Sequence, residues 1–175
     1  CLMNLGIIEM ERGRLPESIS SFNRSLAVLG SLEGSGWDQA LASINLGNAQ
    51  RKYGRFADAE QSYRRALEMC DRIEGMRLDR VHAEQNLALA LMDQGKWEES
   101  EKLYAKALDE YAALGACAVD RARTTMNLAM TLFHQDRLEE AESRCRQALE
   151  LLDESEGSRS LASVVWLNLA NSLRE

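Results

Sequence analysis

One three-residue signature recurs at a fixed interval. It reads Asn4-Leu5-Gly6, Asn45-Leu46-Gly47, Asn86-Leu87-Ala88, Asn127-Leu128-Ala129 and Asn168-Leu169-Ala170, each Asn 41 residues after the one before. An unbroken period of this size describes a row of similar units, each burying its apolar face against its neighbours, rather than one globule. Function is then expected on a surface that successive units share.

The units are helical. A single proline, Pro16, interrupts 175 residues rich in Ala, Leu, Glu, Arg and Gln, and 45% hydrophobic content suffices for a continuous core. Each unit divides at a short break: Gly13-Arg14-Leu15, Gly54-Arg55-Phe56, Gly95-Lys96-Trp97 and Asp136-Arg137-Leu138. Gly ends a helix by taking the left-handed backbone conformation that other residues resist. The break therefore separates a helix A from a helix B. Helix A is expected near 1–12, 36–53, 77–94, 118–135 and 159–174, and helix B near 15–31, 56–73, 97–113 and 138–154. Residues 1–175 then form one array, with repeats near 1–35, 36–76, 77–117 and 118–158 and a final unpaired helix at 159–175. The chain begins with Cys1 inside the first helix of a repeat, which suggests a piece of a longer protein.

Small and large residues alternate on helix B at helical spacing. Ser18, Ala59, Ser100 and Ala141 are each followed four residues later by Phe22, Tyr63, Tyr104 and Cys145, and three later again by Ser25, Ala66, Ala107 and Ala148. Spacings of four and three share one helix face. Small positions let two helices approach while the larger side chain fills the remaining space. Gly6, Gly47, Ala88, Ala129 and Ala170 supply the matching smooth spot on helix A.

This pattern resembles the tetratricopeptide repeat: Leu then Gly or Ala in helix A, Gly at the turn, and small, aromatic, small in helix B. Two features depart from it. Glu9, Gln50, Leu91 and Leu132 stand where an aromatic is usual, and the closing Pro is absent. The period exceeds the usual 34 by about seven residues, roughly two helical turns. The extra residues fall around 31–37, 74–78, 115–119 and 154–160, where Gly34, Gly75 and Gly157 recur and Ala116 takes the remaining place. Longer helices with a Gly-containing connection are the simplest expectation. The longer repeat is similar to those of kinesin light chains and Leu-Gly-Asn-repeat scaffold proteins, and to arrays attached to bacterial signalling proteins. The resemblance implies an all-α solenoid of stacked antiparallel helix pairs, wound as a right-handed superhelix with A helices lining its concave side.

On that footing Asn4, Asn45, Asn86, Asn127 and Asn168 form a ladder along the groove. An amide offers both a donor and an acceptor to the backbone of an extended peptide, or to a neighbouring A helix, where it would only order the stack. Asn48, Arg51, Leu89, Met92, Arg123, Met126, Met130 and Phe133 complete the expected peptide groove. Met3, Met10 and Ile44 fall near it too, and flexible Met side chains suit either a remouldable binding strip or core filling. Groove charges are sparse: Arg51, Lys52, His82, Arg123 and Arg174 against Glu11 and Asp93. Tetratricopeptide co-chaperones that hold carboxyl termini use a Lys three residues before the small residue. Met3, Ile44, Gln85 and Met126 stand there in this chain, so a carboxylate clamp is not expected.

Other classes lack their chemistry. The net charge is −7 with no dense Lys or Arg stripe, which disfavours nucleic acid. No stretch approaches the roughly 20 apolar residues of a membrane span, and no signal peptide is evident. Cys1, Cys70, Cys117 and Cys145 are widely spaced, so neither a disulfide framework nor a zinc site is indicated and a cytoplasmic setting fits. His82 and His134 lie apart, with no catalytic or metal motif around them, and no cofactor is implied. Cys145 replaces the helix B aromatic and reads as a buried small hydrophobe; acidic groups at Glu98-Glu99 and Glu139-Glu140 suit the positive ends of B helices. Trp97 reads as the anchor of a B helix and Trp166 as a core residue, while Trp37 has no assignment. The sequence points to a non-enzymatic module that binds a peptide or helix of a protein partner. The alternatives are a structural spacer that associates end to end through the final helix, with Val164, Val165, Leu167 and Leu169 exposed, or the sensing region of a larger signalling protein or enzyme.

Overall fold

After the first helix, the helix starts and the breaks inside each unit keep the 41-residue register. The computed structural model describes residues 1–115 and 118–153. All regular structure among them is α-helix: α1 (Leu2–Glu11), α2 (Leu15–Leu29), α3 (Gly36–Lys52), α4 (Phe56–Cys70), α5 (Arg77–Asp93), α6 (Trp97–Leu114), α7 (Ala118–Phe133) and α8 (Leu138–Asp153). Each lies within about three residues of its expected bounds. The expected final helix at 159–174, with Asn168, Val164, Val165, Trp166, Leu167, Leu169 and Arg174, lies outside the described residues, as do Cys117 and Gly157.

The break inside each unit is a helix-ending turn closed by the backbone. Gly13, Gly54 and Gly95 adopt φ of 72°, 83° and 76°. The following N–H then reaches back over the last turn: Arg14 to the Glu9 carbonyl at 2.9 Å and Arg55 to that of Gln50 at 2.9 Å. This satisfies a carbonyl that the helix end would leave orphaned. Asp136 does the same work without being Gly, at φ 62°, with Arg137 N–H bonded to the Leu132 carbonyl at 3.1 Å. Pro16 is tolerated because it falls in the first turn of α2, where the missing N–H has no partner to lose.

The first two connections from B to A contain the expected glycines, Gly34 and Gly75, at φ of 74° and 92°. α2 and α4 stop at Leu29 and Cys70, and the residues up to Ser35 and Met76 form compact turns. In the first turn the Ser35 hydroxyl reaches the Leu29 carbonyl at 2.6 Å and Gln39 donates to the Ser35 Oγ at 2.8 Å. Met76 takes the same place in the second turn and is fully buried with Cys70 and Ala40, beside Leu41, Met69 and Ile73. One backbone shape is thus held once by hydrogen bonds and once by apolar filling. The third connection shifts register: α6 continues to Leu114, and Gly115 takes the left-handed conformation at φ 63°, one residue before the expected position of Ala116.

Packing divides the chain into two units, Cys1–Gln94 and a second beginning at Gly95. In the first, α1 packs on α2, α2 on α3, α3 on α4 and α4 on α5, while α1 touches α3 and α3 touches α5. In the second, α6 packs on α7 and α7 on α8. The chain is an all-α, tetratricopeptide-like α-solenoid.

Close approach of A and B helices explains the small residues of the signature. A Cβ at Gly6 would stand 2.8 Å from the Phe22 ring, and one at Gly47 would stand 2.6 Å from the Tyr63 ring. Both rings are wholly buried; burial of a side chain this large contributes about 1.5–3 kcal/mol. The second unit uses a smaller pair, Ala129 against Cys145, in a cluster with Ala122, Ala148 and Leu152. Glu9 and Gln50, in place of an aromatic, pair instead with helix B: Ser21 donates to Glu9 Oε2 at 2.6 Å and Ser62 to Gln50 Oε1 at 2.6 Å.

Candidate functional site

The signature Asn opens a stripe of residues three apart on each A helix. On α1 the stripe is Asn4, Ile7 and Met10; on α3 it is Asn45, Asn48 and Arg51; on α5 it is Asn86, Leu89 and Met92. Spacing of three keeps these side chains on one helix face. Asn4 is exposed and the other eight are half-buried, as expected of side chains that line a surface without being covered by it. These three helices are successive neighbours in the first unit.

None of Asn4, Asn45 and Asn86 hydrogen-bonds through its amide to any described residue. The alternative expectation, that each Asn bonds to the neighbouring A helix, finds no such bond among the described residues. The middle stripe differs from its neighbours. The Tyr63 hydroxyl, on α4, donates to Asn48 Oδ1 at 2.8 Å, and Arg51 Nη1 donates to Asp93 Oδ2 at 2.9 Å, joining the end of α3 to the end of α5. Arg51 and Asp93 keep side-chain exposures of 29% and 24%, so the pair is partly screened and only modestly stabilising. Burial pushes the Tyr63 phenol well above its ordinary value despite the opposing pull of Arg51, so the hydroxyl stays protonated.

Polar groups thus stand on α3 between apolar groups on α1 and α5. Met10 and Met3 pack against the core formed by Ile19, Phe22, Leu26, Ala42, Leu46 and Ala49, which favours the core-filling reading for these two. Lys52 and Glu11 are exposed at the ends of their helices, Ile44 is half-buried and His82 half-buried on α5.

The second unit carries the equivalent stripe on α7: Asn127, Met130 and Phe133, all half-buried. Met126 packs against the α7–α8 core. Arg123 is exposed and bonds Asp120 one turn back on its own helix at 2.6 Å, so its charge is largely answered locally. Phe133 meets His134 edge-on at 5.8 Å, and His134 stacks on Trp97 with ring centroids 4.7 Å apart. Trp97, the first residue of α6, is thereby tied to the end of α7. Trp37 is 42% exposed, lying against Gly75 in the connection to α5.

At the A–B turn of the second unit, Arg137 bridges Glu101 on α6 and Glu140 on α8, with contacts of 2.7 and 2.6 Å. Burial acts to raise the Glu101 pKa, but hydrogen bonds from Arg137 and Gln135 outweigh it and hold the carboxyl below its ordinary range. Gln135 repeats an arrangement of the first unit, where Gln94 donates to Glu60 at 2.9 Å as Gln135 does to Glu101 at 2.9 Å.

Two of the thiols, Cys70 and Cys145, are poorly placed to act as nucleophiles. Cys70 and Cys145 are buried and burial raises the pKa of both, aided by nearby carboxylates. No group of three His, Cys, Asp or Glu among the described residues is placed to hold a metal ion, and none of the described helices is long and apolar enough to cross a membrane.

The sequence matches one description of the tetratricopeptide repeat over residues 1–72 and 120–175, and a second over residues 85–114. The chain belongs to the tetratricopeptide repeat family. No curated protein matches it. Solved structures show the same fold at low identity. BtubC (BKLC) from P. vanneervenii is 19% identical with a TM-score of 0.85, over 98% of this chain and 70% of that one. The apo form of RapI is 18% identical with a TM-score of 0.87, over 98% of this chain and 61% of that one. A putative kinesin light chain of Podosopora anserina with nearly identical repeats is 15% identical with a TM-score of 0.83, over 98% of this chain and 82% of that one. As a tetratricopeptide array, the chain is of a kind that generally serves protein–protein interaction.

Proposed function

We propose that the A-helix face of the first unit binds an extended peptide segment of a protein partner, with no chemistry performed on it. The observation that carries this reading is the Asn4, Asn45 and Asn86 row: three amides on successive helices α1, α3 and α5, with no hydrogen bond to any described residue. Each can give a donor and an acceptor to a peptide main chain, whose polar groups need both. Leu89 and Met92 beside Asn86 provide apolar contact for a ligand side chain, and Met adapts its shape to what it meets. Helices packed on both sides hold the row in place before a ligand arrives, so the ordering entropy falls mainly on the ligand.

The test is selection of random displayed heptapeptides on the whole chain, followed by affinity measurements on the tightest peptide. Asn45→Ala with Asn86→Ala is expected to weaken it at least tenfold while helicity and melting hold. Equal affinity in wild type and variant would remove the face from the binding site.

A further inference from the structure

The stripe positions that follow Asn are apolar on α1 and α5, Ile7 and Met10 on one and Leu89 and Met92 on the other, whereas α3 alone carries Asn48 and Arg51. Asn48 differs from the signature amides in a second way: its oxygen is occupied from behind. The Tyr63 side chain is wholly buried, reaches from α4 between the packed helices, and places its hydroxyl 2.8 Å from Asn48 Oδ1. Arg51, close by, carries only donors and so cannot receive the phenolic proton. An acceptor must take that proton, and this fixes which edge of the Asn48 amide faces Tyr63. Its nitrogen, with two N–H groups, is left for the other edge, and makes no hydrogen bond to a described residue.

We infer that Tyr63 is a positioning residue: it locks the Asn48 amide as a donor, so that α3 selects a carbonyl or carboxylate oxygen of the bound segment. This rests on the peptide-binding reading of the same face. Asn45 can turn its amide either way, whereas Asn48 cannot, and Arg51 beside it adds further donors while held by Asp93. The three groups together make the α3 register of the face a place for oxygen acceptors, beside the apolar register of Leu89 and Met92 on α5. A ligand donor placed over Asn48 would meet an N–H and be rejected, since neither partner could then be satisfied.

Tyr63→Phe isolates this role from packing. Phe22 fills the equivalent position in the preceding repeat and is equally buried, so the ring without its hydroxyl is already accommodated by this fold. The probe is the tightest heptapeptide from a random display library selected on the wild-type chain. Its affinity is measured for wild type, Tyr63→Phe, Asn48→Ala, the double variant and Leu89→Ala, with circular dichroism for each. The expected result is that Tyr63→Phe weakens binding roughly 3- to 10-fold, the range of one hydrogen bond. Asn48→Ala should weaken it by at least as much, and the double variant no further than Asn48→Ala alone. In the wild-type selection one ligand position should require an oxygen acceptor, and selection on the Tyr63→Phe chain should lose that requirement while keeping the apolar one. The inference is overturned if Tyr63→Phe binds as wild type while Asn48→Ala is weakened, or if the two effects add independently. Loss of effect in Asn48→Ala and Leu89→Ala together, or a library without any binder, would overturn the peptide-binding reading itself.

Discussion

Replacing Gly47 by Ala tests the close approach on which the repeat is built. The added Cβ would lie 2.6, 2.8 and 2.8 Å from three carbons of the Tyr63 ring, all under ordinary van der Waals distance. The ring cannot swing aside freely, because it is wholly buried and its hydroxyl is held by Asn48 at 2.8 Å. Overpacking of a filled core costs about 1–3 kcal/mol, and loss of the tether costs about 1 kcal/mol more. Against this, Ala is favoured over Gly inside a helix by about 1 kcal/mol. The expected net destabilisation is about 1–3 kcal/mol. Gly6→Ala meets the Phe22 ring at 2.8 Å, but Phe22 has no hydroxyl to hold it, so the loss there should be smaller. The second unit shows how a Cβ is accommodated: Ala129 faces Cys145, a side chain much smaller than Tyr. Gly47→Ala should therefore do less harm when combined with Tyr63→Cys than in the wild-type background. Urea unfolding followed by circular dichroism, run as a double-mutant cycle, gives the coupling directly. A neutral or stabilising Gly47→Ala, or an identical effect in both backgrounds, would refute the steric argument.

Three further outcomes follow from named features. Asp136→Gly should stabilise the chain by about 0.5–1 kcal/mol, since Asp136 holds φ 62° at a turn where the earlier repeats use Gly; a lower urea midpoint would contradict this. The Glu101 carboxyl is held below its ordinary value of 4.5 when folded, so its contribution is fully present above that pH and is lost as pH falls through the folded value. Glu101→Gln should accordingly lower stability by about 0.5–1 kcal/mol near neutral pH, with the difference from wild type shrinking as pH falls through the lowered folded value in a pH series of urea midpoints. Cys1 is exposed whereas Cys70 and Cys145 are buried with raised pKa values, so at neutral pH a thiol reagent should label Cys1 quickly and the other two only on unfolding, as read by peptide mass spectrometry.

Much of the architecture is legible because repetition averages out local ambiguity. The Gly at each A–B turn marks a helix end in one unit and is confirmed by its counterparts, and Asp136 is recognisable only by its register with Gly13, Gly54 and Gly95. The B–A connections were harder to read. Ser35 and Met76 solve the same turn by opposite means, and α6 runs on to Leu114, beyond the position equivalent to the ends of α2 at Leu29 and α4 at Cys70, before Gly115 ends it. Local propensity chooses there between two nearby helix ends, and periodicity alone cannot decide.

The stripe residues were legible for the same reason as the helices, being spaced by three from a repeated Asn. Methionine was not: Met3, Met10 and Met126 pack against core clusters, and nothing in the side chain distinguishes a lining Met from a filling one. Tyr63 was visible only as the helix B ring, since its bond to Asn48 joins residues 15 apart on different helices. A signal did exist in the register, because α3 alone has polar residues at both stripe positions after its Asn among the described helices. The pairs Ser21 with Glu9 and Ser62 with Gln50 were likewise readable in principle, as the same polar combination recurs at a separation of 12 in two repeats.

The most direct measurement of the central claim is side-chain nuclear magnetic resonance of the whole chain, titrated with the tightest selected heptapeptide. The account predicts that the amide groups of Asn45, Asn48 and Asn86 and the methyl groups of Leu89 and Met92 shift together and saturate at one affinity. Shifts confined to residues outside α1, α3 and α5, with these groups unmoved at saturation, would contradict it.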